Sequence, residues 1–115
     1  MDSLQQRATL GRKWAHFFDK YPLILCPISG DLPFEDFKDT KSEKDFDEVF
    51  ASMLPQIAPP YLGLPGLCFS NHVNENKIPI GVQFISRKFR EDQLFKVAYD
   101  LEKLFPEIKP ITPDY

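Results

Sequence analysis

Leu10, Trp14, Phe17, Phe18 and Tyr21 fall at i, i+4, i+7, i+8 and i+11, with Arg12, Lys13, Asp19 and Lys20 between them. Such positions share one face of a 3.6-residue helix, so the spacing predicts an amphipathic helix over 4–21. Pro22 ends it, because the residue before a proline is disfavoured in helical geometry. Leu23-Ile24-Leu25-Cys26 is a continuous apolar run closed by Pro27, the pattern of a short strand buried on both faces. Phe46, Val49, Phe50 and Met53 return to helical spacing after Ser42, a suitable N-cap with acidic residues in the turn that follows, and Pro55 is expected to stop this second helix. The stretch from Ala58 to Gly66 is punctuated by proline and glycine and reads as a turn or helix end opening into a strand, Leu67-Cys68-Phe69-Ser70. After a polar turn at Asn74-Glu75-Asn76, Ile80, Val82 and Phe84 alternate with Gly81, Gln83 and Ile85, giving two adjacent antiparallel strands. Leu94, Val97, Ala98, Leu101, Leu104 and Phe105 mark a last helix from about Glu91, ended by Pro106 and followed by an extended tail, 106–115.

The element order is therefore helix, strand, helix, strand, strand, helix. This is an α/β arrangement in which a small mixed sheet is packed by helices, expected as a single domain over 1–115. Three strands are few for so many aromatic side chains, which suggests a segment that completes a larger sheet or pairs with another chain. Between Ile28 and Ser42 no period is sustained, and the long loop carries Phe34 and Phe37. Such a loop is a candidate wall or lid of a pocket, or else its two aromatics pin it to the core.

Composition narrows the function. With 43% hydrophobic and 14% aromatic residues, eleven of them Phe, the 115-residue chain carries more apolar surface than a disordered one would. A net charge of −3 gives no basic field for phosphates, so nucleic acid is not an expected partner. No stretch approaches the roughly 20 apolar residues that span a bilayer, so neither a membrane partner nor a site outside the cytoplasm is expected. Cys26 and Cys68 each sit in an apolar run rather than at metal-ligand spacing and read as two buried free thiols, with no metal and no cofactor implied. The competing reading is a cysteine nucleophile served by His16 or His72, but Cys26 is followed by Pro27 at a loop entry and neither histidine has a sequence-local carboxylate that orients it convincingly.

Tyr61-Leu62-Gly63-Leu64-Pro65-Gly66, followed by Ile78-Pro79-Ile80-Gly81-Val82-Gln83-Phe84-Ile85, resembles the C-terminal signature of the amidase-signature family. There, a G-L-P turn feeds a strand and a polar hairpin leads to L-P-V-G-V-Q-L-I-G. Phe89 to Ala98, with Leu101-Glu102, is similar to the closing F-x-E-D-x-L-L-x-V-A…L-E helix, and Trp14 to Phe18 with Tyr21 to Pro27 is similar to F-x-x-Y-D-x-L-L-x-P. The chain departs from the pattern at Pro22, where the family often has Asp, at Pro60, where Asn commonly precedes the turn, and at Ser70-Asn71, where a proline is familiar.

The resemblance implies hydrolysis of amide bonds by a serine nucleophile, a second serine in a cis peptide and a lysine base, all from a Gly/Ser-rich stretch. These 115 residues contain no adjacent serines and five dispersed glycines. An activated serine needs a base within reach and convergent oxyanion donors, and none of Ser29, Ser70 or Ser86 has that context, so no catalytic residue is assigned. The expected role is scaffold and pocket wall, with Ile28, Phe34 and Tyr61 bordering a pocket for a small amide substrate held only by a complete enzyme. Gly63, Pro65, Gly66, Gly81 and Gln83 are assigned structural roles: Gly63 and Gly66 for turn geometry, Gly81 for close approach in a central strand, and Gln83 as a satisfied sheet residue. The expected partner is a companion amidase chain or another copy. The alternative is a non-catalytic module that homodimerises through its sheet edge.

Overall fold

A computed structural model describes residues 2–105. The order is α1 (Ser3–Lys20), β1 (Leu23–Pro27), α2 (Lys38–Lys41), α3 (Glu43–Ser52), α4 (Leu54–Leu62), β2 (Gly66–Val73), β3 (Pro79–Ser86) and α5 (Glu91–Glu102). Asp2 caps α1 by accepting the Leu4 N–H at 3.2 Å, and Ser42 caps α3 by accepting the Asp45 N–H at 3.1 Å. The expected tail at 106–115 lies outside the described residues.

The three strands form one sheet in the order β1-β3-β2, antiparallel throughout rather than mixed. Residues directly opposite share a face, so Cys26, Gln83 and Cys68 form one row and Leu25, Phe84 and Leu67 a row on the other side. Gln83 reaches α4 while its neighbour in β3, Val82, pairs with Phe69, whose ring lies 5.8 Å from that of Phe105 just beyond α5. Successive strand residues point to opposite faces, so α4 and the end of α5 cover opposite sides of the sheet.

Two expectations about buried strands and turns are corrected. β1 is an edge strand, and Leu25 on it is 62% exposed, because nothing among the described residues covers that end of its face. The stretch from Leu54 to Leu62 is a whole helix, so of the turn and the helix end expected within 58–66 the helix end holds, and Pro55 opens this helix instead of merely closing α3. Proline is tolerated in a first turn, where its missing N–H would have no partner. Pro59 and Pro60 lie deeper, where each removes an intrahelical donor. Gly63 ends the helix at φ 69°, with its N–H donating to the Pro60 carbonyl at 3.1 Å and the Leu64 N–H to that of Pro59 at 2.9 Å. This crossed pair of bonds needs a left-handed residue, which glycine supplies without a Cβ penalty.

The hairpin joining β2 and β3 is longer than expected. Strand pairing continues through Val73, and Asn74 closes the turn by accepting the Asn76 and Ile78 N–H groups on Oδ1 at 3.0 and 2.9 Å. A register shift between Ser70 and His72 marks a bulge opposite Gly81 and Ile80. At Gly81 a Cβ would stand 2.7 Å from the Phe69 carbonyl oxygen, so the close backbone approach at the bulge excludes any side chain. Gly66 differs from Gly63. It is the first residue of β2, its φ is not positive, and an added Cβ would meet only ordinary contacts.

Phe18, Val49, Ile85 and Leu94 are buried and form the core, and Pro59 of α4 is buried as well. The radius of gyration is 17.0 Å, whereas a compact domain of 100 residues has about 13 Å. Extents of 50 × 44 × 21 Å describe a slab one sheet and its helices thick. Large apolar side chains on its surface, among them Leu25, Phe46 and Phe50, give it faces that another body could cover.

Candidate functional site

The loop leaving β1 is tied to the end of α3. The Gly30 N–H donates to the Ser52 carbonyl at 2.8 Å, and the Ser29 hydroxyl reaches the same oxygen at 3.3 Å. Ser52 is itself buried and donates its hydroxyl to the Val49 carbonyl at 2.8 Å. This anchoring stands the segment from Ile28 to Phe34 away from the sheet and opens a cleft of about 680 Å³ over the start of β3. Met53 and Gln56 form the helical side, Pro79 to Gly81 the strand side, and Ile28 and Phe34 the loop side.

Ile28 and Phe34 therefore share one cleft. Tyr61 does not line it: its hydroxyl donates to the Ser3 carbonyl at 3.3 Å and links α4 to the start of α1. Phe37, the loop's second aromatic, is left-handed at φ 60° and 75% exposed, so it does not pin the loop to the core. Met53 was expected only as the last apolar position of the second helix, and Gln56 lies past the stop expected at Pro55, so neither was expected at the cleft. The signal available was the proline one residue into the new helix, after a residue compatible with helix continuation.

The cleft is mainly apolar, with Ser29, Asp31 and Gln56 as its polar side chains. Ser29 has its hydroxyl engaged with the Ser52 carbonyl and accepts the Asp31 N–H at 3.4 Å, so no base is hydrogen-bonded to it. Ser86 is wholly buried, its hydroxyl donating to the Arg90 carbonyl at 3.0 Å, which makes it a fastener between β3 and the start of α5. Cys26 is half-buried with Sγ 3.5 Å from the Gln83 amide nitrogen, and Cys68 is exposed rather than buried. Among the described residues no group of three His, Cys, Asp or Glu is placed to hold a metal ion. No described helix is long and apolar enough to cross a membrane.

A larger hollow of about 1020 Å³ shares the same loop but faces α2 and α3. Both of its lysines are paired, Lys41 Nζ lying 2.7 Å from Glu35 and Lys38 Nζ 3.1 Å from Glu48, which leaves Asp31 and Asp45 as further carboxylates in the lining. The hydrogen bond from Lys41 holds the Glu35 carboxyl below its usual range, and the bond to Glu48 raises the Lys38 ammonium above its own. These are solvated surface pairs, and the smaller apolar cleft is the better seat for a ligand.

The fold is a small antiparallel sheet packed by helices, and the one hydroxyl in the lining of its cleft, that of Ser29, has no base hydrogen-bonded to it among the described residues. The family model described as Amidase matches residues 2–95, and the chain belongs to that family. It is 32% identical over 99 residues to the A subunit of glutamyl-tRNA(Gln) amidotransferase from Helicobacter hepaticus, an alignment covering 86% of this chain and 21% of that protein. It is 36% identical over 93 residues to indoleacetamide hydrolase of Bradyrhizobium japonicum, covering 80% of this chain and 20% of the other. The crystal structure of the glutamyl-tRNA(Gln) amidotransferase A subunit from Thermotoga maritima superposes with a TM-score of 0.69 at 24% identity, covering 87% of this chain and 21% of that one, a likeness of fold. The chain thus spans about a fifth of the length of the relatives it matches.

Proposed function

We propose that this chain supplies scaffold and one wall of the substrate cleft to an amidase, and that hydrolysis of the carbon-nitrogen bond requires groups these 115 residues do not contain. The observation that carries the proposal is the state of the cleft: its one hydroxyl, Ser29, is bonded to a backbone carbonyl and not to a base. A serine so placed has no route for losing its proton to an acceptor as it attacks. Family membership and the one-fifth span of the relatives support a companion chain or segment that brings nucleophile, base and oxyanion donors. One relative is by name a lettered subunit of an amidotransferase, which denotes an assembly of more than one chain.

By this reading Ile28 and Phe34 contact the acyl part of a small amide, and the free outer edge of β1 is where the sheet continues into the companion. Two free thiols suit a reducing compartment, and a cytoplasmic location belongs to the proposal. The test is reconstitution: the chain is added to an amidase of the family from which the matching fifth has been deleted. Turnover should return, and Phe34→Ala or Ile28→Ala should raise KM more than they lower kcat. Recovery insensitive to both substitutions, or binding of the two parts without recovery, contradicts the reading.

The same free edge, with Leu25 exposed beside it, favours one other reading, a non-catalytic module that pairs with its own copy through β1. Replacing Leu25 by proline would abolish that pairing, since the Leu25 N–H faces away from β3 and its loss bars the edge from accepting a strand.

A further inference from the structure

A second groove, of about 580 Å³, runs between α1 and the end of α4, and uses neither the cleft nor the sheet edge. Along α1 its wall is Leu4, Ala8, Gly11, Ala15 and Phe18, one face of the helix at i, i+4, i+7, i+11 and i+14. The middle of that face is small, and a Cβ at Gly11 would find no atom within 4 Å, so another helix could come close. The rim is Arg7, Arg12, Arg87 and Lys88, and no carboxylate lines the groove although the chain as a whole is acidic.

These cations are unevenly engaged. Arg87 is paired with Asp19 at 2.8 Å, and Arg12 bonds to the Thr9 hydroxyl. Among the described residues Arg7 and Lys88 form no ion pair, yet Arg7 Nη2 and Lys88 Nζ stand 3.6 and 3.9 Å from the place a Cβ would take on Gly63. Two unneutralised cations thus converge over the end of α4. Beside them Phe89 is held in left-handed backbone at φ 64° and is 78% exposed, a conformation that costs energy in a bulky residue, and Lys88 Nζ lies 5.2 Å from the centroid of its ring, so that ring and cation are presented together.

The complementary surface is on the same chain. On α3, Glu43, Phe46, Asp47 and Phe50 occupy i, i+3, i+4 and i+7, and all four are exposed. The Phe46 and Phe50 rings stack at 6.0 Å, and neither Glu43 nor Asp47 forms an ion pair among the described residues. Within one molecule α3 joins the start of α4 while the groove lies at its other end, nine residues away, roughly 13 Å along a helix.

We infer that the groove beside α1 is an interaction surface whose occupant is α3 of a second copy of this chain. Phe46 and Phe50 enter over Ala8 and Gly11 against Phe89, and Glu43 and Asp47 meet Arg7 and Lys88. The contact joins two different patches, so it is heterologous and closes into a ring or extends into a chain. It needs no reading of the chain's enzymology.

The test is sedimentation velocity on the 115-residue chain over a range of concentrations at low and high salt, with two charge-reversed variants. At low salt the mass should rise above 13.4 kDa with concentration, and high salt should weaken the association at least tenfold. Arg7→Glu with Lys88→Glu, and separately Glu43→Lys with Asp47→Lys, should each remain monomeric with unchanged circular dichroism. An equimolar mixture of the two variants should associate again, because each then offers the charge the other lacks. A wild-type chain monomeric throughout, association that survives either reversal, or a mixture that stays apart overturns the proposal. Association through the β1 edge would survive both reversals and so counts against it. Should a reversal disturb the fold, Phe46→Ser with Phe50→Ser, which removes only exposed rings, is expected to abolish association instead, and its failure to do so overturns the proposal equally.

Discussion

The side-chain amide of Gln83 donates to the backbone carbonyl of Pro55 at 3.0 Å. In an uninterrupted helix that carbonyl would accept from residue 59, and residue 59 is proline, which has no N–H to give. Gln83, only 8% exposed in the central strand, supplies the missing donor across the sheet-to-helix boundary and keeps its position beside Cys26. The sequence of α4 thus depends on a residue of β3, and the helical wall of the cleft is held against its strand wall by this bond.

Replacing Gln83 by Ala leaves the Pro55 carbonyl without this donor and should lower stability by about 1–3 kcal/mol. Pro59→Ala restores an N–H that reaches the same carbonyl, so Gln83→Ala should cost less in that background. Urea unfolding of the two single variants and the double variant measures the coupling, and additive losses would mean that the two residues do not share the carbonyl.

Gly81→Ala and Gly66→Ala should separate sharply. The first drives a methyl to within 2.7 Å of a backbone oxygen at the bulge, and overpacking of this kind costs about 1–3 kcal/mol. The second meets nothing closer than 3.6 Å and should change stability little. Thermal unfolding of the pair checks the contrast.

Gly63→Ala should destabilise by about 1–2 kcal/mol, the cost of left-handed backbone in a residue with a Cβ, and Gly63→Asn by less. Equal losses in the two variants would place the effect elsewhere than in the backbone conformation.

The pH dependence of the start of α5 follows from Arg90. Its hydrogen bonds to Asp92, at 2.8 and 2.9 Å, hold that carboxyl below its usual value of 3.8. A depressed carboxylate stabilises the fold fully above its unfolded value, and the contribution is lost as pH falls through the lowered folded value. The pair is exposed, so the contribution is small. NMR titration should find Asp92 ionising below 3.8 and moving up towards it in Arg90→Gln.

How far the fold could be read in advance depended on whether the deciding interaction was local. The α1 and α5 stripes and the Ser42 cap depend on neighbours a turn away, and periodicity exposes them. Of helix α4 only an end near Gly63 could be expected, because Pro55, Pro59 and Pro60 signal a break, while the donor that makes the helix tolerable comes from Gln83, 28 residues on from Pro55. The apolar run of β1 suggested burial on both faces, yet an apolar run records only what a strand can tolerate, and here it forms an edge with Leu25 uncovered. Of the residues expected at a pocket rim, Ile28 and Phe34 line the loop side of one cleft, whereas Tyr61 bonds to Ser3, a contact 58 residues away that no spacing announces.

The proposal that these residues form a wall without reacting groups is tested most directly by measuring release of p-nitroaniline from simple acyl p-nitroanilides by the purified 115-residue chain. The rate should equal that of buffer at every chain concentration. Turnover that rises in proportion to the chain, and is abolished by Ser29→Ala, would contradict it.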